Sequence, residues 1–430
     1  MGKFDNKTLL VLGSNVGAVD MICYARENGA KVIVADYYPP ERSEAKRYAD
    51  RHVLVSTADI QALKEIVEKE NVNGVLAGIS EFNLLKAMEL SKLCGLPFYC
   101  TREQWDMVES KDCFRQLCIE SGVPCPKTYF TGTEIPEDAW NTFTYPLVLK
   151  PVDASASSGV FICHTEEELR KHIPESAKKS SRKTIIIESF VQGSEFTAHY
   201  TICDGKAALA CIDNRYPIAL HEGNVTTIPI ARIYPSVFAE NYIEKVNASV
   251  IQMCERLGMQ DGILFIQGIH NPENGEYNIF EAGLRCAGEA PYRFLKEITG
   301  RNFIQILVDH ALLGSSDYDL TIEKPLLNGK CCGIVSYAAH HGTVGSIDGL
   351  EEAVSVCRGV LGYENRYPVS REVPDTDTLR QLMIRFIMLC EGRQQMAEDI
   401  KMLNDHIHVR NTDGNDMIEK FDPKRLFGEF

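Results

Sequence analysis

Residues 8–40, TLLVLGSNVGAVDMICYARENGAKVIVADYYPP, constrain the fold more than any other stretch. An apolar run ends at Gly13, an amphipathic segment stops at Gly29, and a second apolar run ends at Asp36. Short aliphatic runs separated by a segment of helical period read as strand, helix, strand. HVLVS (52–56) and GVLAGIS (74–80) continue the alternation, separated by DIQALKEIVEKENV (59–72) with Ile60, Leu63 and Val67 on one face. PFYC (97–100) reads as a fifth short strand. A parallel sheet is expected over residues 1–102, because alternating strands and helices place their crossovers on the sheet faces.

The pattern then changes from α/β to α+β. Residues 103–122 read as helical, with Lys111 just after Ser110, and hairpin-like strands dominate from 126 to 285, with helices near 165–179 and 237–257. The second of these puts Ile243, Val246, Val250, Cys254 and Leu257 on one stripe, with Gly258 as a left-handed stop. A last section, 318–430, begins near KCCGIVSYAAHHGTVGSIDG and ends with HIHVRNTDGNDMI, where Ile407 and Val409 alternate before a turn at Asp413-Gly414. The expected domains are 1–102, 103–317 with a smaller lid at about 126–195, and 318–430.

Charge and composition exclude several function classes. A net charge of −15 disfavours nucleic-acid and anionic-membrane surfaces, which need clustered Lys and Arg. Any anion must meet a local basic pocket. The fifteen cysteines are odd in number, form no C-x-x-C, and include Cys23, Cys118, Cys254 and Cys390 at positions read as apolar helix faces, as expected of thiols in a reducing cytoplasm. No segment reads as a signal peptide or a membrane span.

Several residues could carry chemistry. The turn GSNVG lacks the G-x-G-x-x-G fingerprint, and Asp36 reads either as a ribose acceptor or as a solvated strand end. Ser80 and Glu81 follow a parallel strand at its carboxyl end, where open sheets bind ligands, and are expected to contact substrate. In PLVLKPVDASASSGVFI (146–162) a buried strand ends at Lys150, and Ser155, Ser157, Ser158 and Gly159 offer unobstructed N–H groups and hydroxyls. That loop suits a polyphosphate, or is a plain hairpin turn. In TIIIESFVQGSEF, Glu188 can accept from an adenine amino group and Glu195 from ribose hydroxyls, unless both are surface glutamates. The hairpin GILFIQGIHNPENGEYNIFEAGLRCAGE turns at Asn274-Gly275 and delivers Glu281, a hard-cation ligand, and Arg285, which can stabilise a transferred group or simply pair with Glu281.

In this order, Lys111, Lys150 with its small-residue loop, Glu188, Gly193, Glu195, Glu281 and Arg285 resemble the motifs of the ATP-grasp superfamily. The resemblance implies a Rossmann-like amino-terminal domain, a two-part ATP-grasp region and a carboxyl-terminal section similar to that of biotin carboxylase and carbamoyl-phosphate synthase relatives. It implies Lys111 and Lys150 on ATP phosphates, residues 155–159 as phosphate lid, Glu188 with the Phe190-Val191 backbone on adenine, Glu195 on ribose, Glu281 on magnesium and Arg285 at the acyl-phosphate centre. The chain departs from the pattern twice: Gln267 stands at an acidic metal-ligand position and Gly283 at an asparagine. Asp213 or Glu289 are the expected substitutes, with Gln267 as a neutral ligand and Arg215 sharing phosphate charge. The implied function is an ADP-forming ligase that uses MgATP to activate a small-molecule carboxylate for attack by an amine or similar nucleophile. Its rivals are a nucleotide-binding regulator without turnover and a nicotinamide-dependent oxidoreductase. Oligomeric state is open.

Overall fold

The computed structural model describes residues 2–154, 158–220, 228–376 and 378–428. Strands β1 (Thr8–Leu12), β2 (Lys31–Ala35), β3 (Arg51–Val53) and β4 (Gly74–Ala77) form a parallel sheet in the order β3-β2-β1-β4. Every side chain of β1 is buried, because helices α1 (Ala18–Glu27), α2 (Glu44–Tyr48), α3 (Ile60–Glu70) and α4 (Glu81–Cys94) accompany the sheet. PFYC is not a fifth strand. Its Tyr99 is buried and donates its hydroxyl to the Leu284 carbonyl at 2.8 Å, so the segment ties the sheet to the later hairpin.

The helical stretch expected at 103–122 is present as two helices, α5 (Arg102–Glu109) and α6 (Lys111–Glu120). Ser110 is extended, and the Lys111 N–H donates to the Val152 carbonyl at 3.0 Å rather than back into α5. That break sets the direction of Lys111.

Strands β5 (Thr128–Gly132), β6 (Leu147–Pro151), β7 (Phe161–Cys163) and β8 (Ile185–Ser189) make an antiparallel sheet, β5-β8-β6-β7, backed by α7 (Glu166–Lys179). Its own small core is Leu147, Leu149, Cys163, Leu169, Ile185 and Ile187. The chain continues through β9 (Ser194–Cys203), β10 (Lys206–Ile212), β11 (Asn214–Ile218), β12 (Ile228–Tyr234), α8 (Ala239–Lys245), α9 (Asn247–Arg256), β13 (Gly262–Asn271) and β14 (Glu276–Gly283). The central sheet is β10-β9-β13-β14, and β13 and β14 form the expected hairpin. The helix expected at 237–257 is interrupted at Val246, yet its apolar stripe holds: Val246, Val250, Cys254 and Leu257 are buried, and Gly258 has φ 68°.

The last strands are β15 (Cys331–Ala339), β16 (Gly342–Asp348), β17 (Val360–Asn365), β18 (Glu372–Val373), β19 (Leu382–Cys390), β20 (His408–Asn411) and β21 (Ile418–Glu419). The sheet β11-β12-β15-β19-β17 takes two strands from residues 214–234, well before the boundary expected at 318, and β21 adds to β15. Local pattern cannot name a distant pairing partner. Ile407 and Val409 are buried and the chain turns at Asp413-Gly414, but β21 then leaves β20 for β15. Cys390 lies on a strand, not a helix, and all fifteen cysteines are unbonded. Among the described residues no helix is long and apolar enough to cross a membrane.

Candidate active site

A cavity of about 530 Å³ opens where α4, α5, α6 and β14 meet, lined by Glu81, Glu109, Lys111, Asp153, Phe280 and Glu281 among others. The Lys111 Nζ donates to the Ala154 carbonyl at 2.7 Å, just before the small-residue loop. Burial lowers its pKa, with the Glu281 carboxylate opposing that shift. Ser155 and Ser157 lie outside the described residues. Ser158 is exposed, and Gly159 takes φ 76°, where a side chain would crowd Lys179 at 3.0 Å.

Lys150 is not waiting for a ligand to neutralise it. Its Nζ donates to Glu188 Oε2 at 2.9 Å, while the Arg115 Nε donates to Glu188 Oε1 at 2.7 Å. Glu188 is 1% exposed and Arg115 4%. Burial alone would raise the Glu188 pKa, but Lys150 and Arg115 overcome it and hold the carboxyl below its ordinary range. Both Glu188 oxygens thus take part in an internal ion pair that joins α6, β6 and β8, on which the adenine contact expected of this residue would be superimposed. After Glu188, Phe190 and Val191 form an irregular linker whose Phe190 N–H donates to the Pro146 carbonyl at 3.2 Å, so that group is also already used. Glu195 pairs with Arg215, and its side chain keeps 31% exposure. Burial lowers the Arg215 pKa, with Glu195 opposing.

On the hairpin, Gln267 lies opposite Glu281 and Phe265 opposite Gly283. Cross-strand partners two residues apart share a face. Arg285 follows on, its Nη2 donating to Glu81 Oε1 at 2.9 Å and its Nη1 to the Cys286 carbonyl at 3.2 Å, with the guanidinium 5.0 Å from the Phe265 ring. Its buried Nε has no hydrogen-bond partner among the described residues. Arg285 is thus bonded to Glu81, not Glu281. Glu81 begins α4, and the Ser80 hydroxyl, expected on substrate, accepts the Asn83 N–H at 3.4 Å as the helix cap, which leaves its own hydrogen to donate. Asp36 is buried and accepts from Tyr38 N–H and Ser43 Oγ, a turn anchor instead of a ribose site or a solvated end.

Phe265 fills the space beside Gly283. A Cβ on Gly283 would lie 2.6 Å from the tip of the Phe265 ring, so an asparagine there requires that ring to move. The expected substitutes are engaged elsewhere: Asp213 accepts from the Thr197 N–H and from Arg232 at 2.9 Å, and Glu289 accepts from Arg232 at 3.2 Å beside His199. The acid that does approach is Glu109, whose Oε1 is 3.4 Å from the Gly283 Cβ position. Burial, then the charge of Glu81, pushes Glu109 up to about 8 against the pull of Arg285.

Sequence reasoning missed Arg115, Arg232, Arg385 and Glu109. Arg115 left a signal, since it interrupts the buried stripe Phe114, Leu117, Cys118 and such an arginine needs a buried anion. Arg385 lies on the same sheet face as Arg232, by the chain of pairs Arg232, Ile334, Ile387 and Ser336, Arg385. Among the described residues it forms an ion pair with Glu364, at 3.6 Å.

No three His, Cys, Asp or Glu side chains converge as a metal cage among the described residues. Magnesium needs no such cage, because it takes one or two carboxylates with waters and phosphate oxygens. Glu281 at the cavity wall and the orphaned Glu109 oxygen fit that chemistry.

The fold is that of the ATP-grasp proteins, and residues 143–290 match the ATP-grasp domain model. The carbamoyl phosphate synthase large chain of Methanocorpusculum labreanum is 26% identical over 65% of this chain and 28% of its own length, and that of Clostridium perfringens 24% over 74% and 30%. The chain thus spans under a third of those relatives. Among solved structures, the L-amino acid ligase of Bacillus licheniformis superposes with a TM-score of 0.75 at 18% identity, covering 95% of this chain and 99% of that one. The biotin carboxylase domain of the Hydrogenobacter thermophilus 2-oxoglutarate carboxylase, complexed with MgADP and bicarbonate, gives 0.72 at 15%, covering 96% and 91%. At these identities the likeness establishes fold alone.

Proposed function

We propose that this chain is an ADP-forming ligase that activates a small-molecule carboxylate with ATP and passes it to an amine. The observation that carries this reading is the convergence on one cavity of Lys111, Glu281 and Glu81, with Glu81 holding Arg285. In the reaction, a substrate carboxylate oxygen bonds the γ-phosphorus as the bond to ADP breaks. The amine nitrogen then bonds the acyl carbon, inorganic phosphate departs, and the amine loses a proton. No protein nucleophile is required. Lys111 meets phosphate charge, Lys150 shares its charge between Glu188 and phosphate, and Arg285 stabilises the acyl phosphate. Glu281 would hold magnesium, which neutralises phosphate charge when bound. Glu195 meets ribose hydroxyls, Arg215 orients Glu195, and Arg385 meets an anionic group of the substrate.

The L-amino acid ligase likeness makes amino acids the first substrates to try. ADP release is measured with ATP, magnesium and pairwise mixtures of amino acids, then of other carboxylates and amines. ADP release that requires both a carboxylate and an amine supports the reading. Tight ATP binding with no ADP release from any mixture favours the regulatory reading, which the loss of the asparagine at Gly283 motivates.

A further inference from the structure

Phe265 closes the space beside Gly283, yet an oxygen still reaches that place. Glu109 Oε1 comes from the last residue of α5, lies 3.4 Å from where a Gly283 Cβ would be, is shut off from solvent and has no hydrogen-bond partner among the described residues. The nearby cations do not satisfy it: Arg285 is bonded to Glu81 and the Cys286 carbonyl, and Lys111 to the Ala154 carbonyl. A buried carboxyl oxygen without a hydrogen-bond partner is unfavourable, and such atoms in folded proteins call for a partner such as a water or an ion. Glu281 sits on the same hairpin face two residues before Gly283 and lines the same cavity as Glu109.

Resting on the nucleotide-binding reading above, we propose that Glu109 supplies the divalent-cation oxygen that Gly283 cannot. The cation would be held by Glu281 from β14 and Glu109 from α5, with phosphate oxygens and water completing its shell. The ligand lost from the strand is replaced from a helix. Gln267, opposite Glu281, is then free of any charged duty.

The test is equilibrium binding of ADP and of a non-hydrolysable ATP analogue to the full chain, with magnesium titrated from EDTA to saturation and manganese relaxation as a second readout. Glu109→Gln should raise the half-saturating magnesium concentration about tenfold or more while leaving affinity in EDTA and the melting temperature near the parent's. Glu109→Asp, with a shorter reach, should fall between. A magnesium titration of either variant that superimposes on the parent's overturns the assignment, as does an equal loss with and without metal. Parent binding that ignores magnesium also overturns it. A parent that binds no nucleotide removes the ligase reading itself, a separate and distinguishable failure.

Discussion

Two charged clusters, entered by residues only six apart at Glu109 and Arg115, are built on opposite terms. Around Glu188 each oxygen has a cation, Arg115 on one side and Lys150 on the other, and the group is sealed from solvent. Around Glu109 the carboxyls outnumber their partners among the described residues: Glu81 holds Arg285, while Glu109 Oε1 has none. A closed network of buried charge holds three elements together. An open one at a cavity wall keeps capacity for a ligand, at some cost in stability.

The contrast can be broken at its closed end first. Glu188→Gln leaves two buried cations short of an anion and should destabilise the protein by roughly 3–5 kcal/mol in urea unfolding, whereas Glu109→Gln should cost under about 1 kcal/mol. Equal losses would erase the distinction. The sign with pH follows: Glu188 is held below its ordinary value of 4.5, so its stabilisation is present above that value and is lost as pH falls through the folded one. The gap between parent and Glu188→Gln should therefore narrow on acidification below pH 4.5.

Arg285→Ala attacks the open end. It should reduce ADP formation roughly 10²–10³-fold with little change in melting temperature, whereas a large stability loss with activity retained would recast Arg285 as structural. Gly283→Asn restores the missing motif residue into the Phe265 ring and should cost about 1–3 kcal/mol by overpacking. Combining it with Phe265→Leu should recover most of that loss in the same unfolding assay. The smallest effect belongs to the exposed Glu364, 3.6 Å from Arg385. Glu364→Gln should change stability by under about 1 kcal/mol, and a larger change would place that pair with the closed cluster.

Much of this was legible in the residues. The opening alternation specified a parallel sheet, Asn274-Gly275 specified the hairpin, and Lys111, Glu281 and the order of motifs pointed to one site. The departures share a cause. PFYC has strand composition, but Tyr99 is spent on the Leu284 carbonyl, and Ser110 interrupts a helical pattern because Lys111 N–H finds Val152. β11 and β12 carry no mark of their pairing with β15, since a strand displays its face and not its neighbour.

What the chain determined by itself was periodicity, turn chemistry and the types of side chain available, because these depend on a few adjacent residues. Tertiary structure alone decided which charges are consumed and which are left over. Glu188 follows the apolar run of a strand, IIIE, and Glu109 ends an amphipathic helix, WDMVE, and as letters nothing marks one as paired and the other as unpaired. One meets Arg115 and Lys150 from separate elements, and the other meets a glycine walled by Phe265. The charge state and use of a buried carboxyl depend on the low-dielectric surroundings and partners that distant segments bring to it.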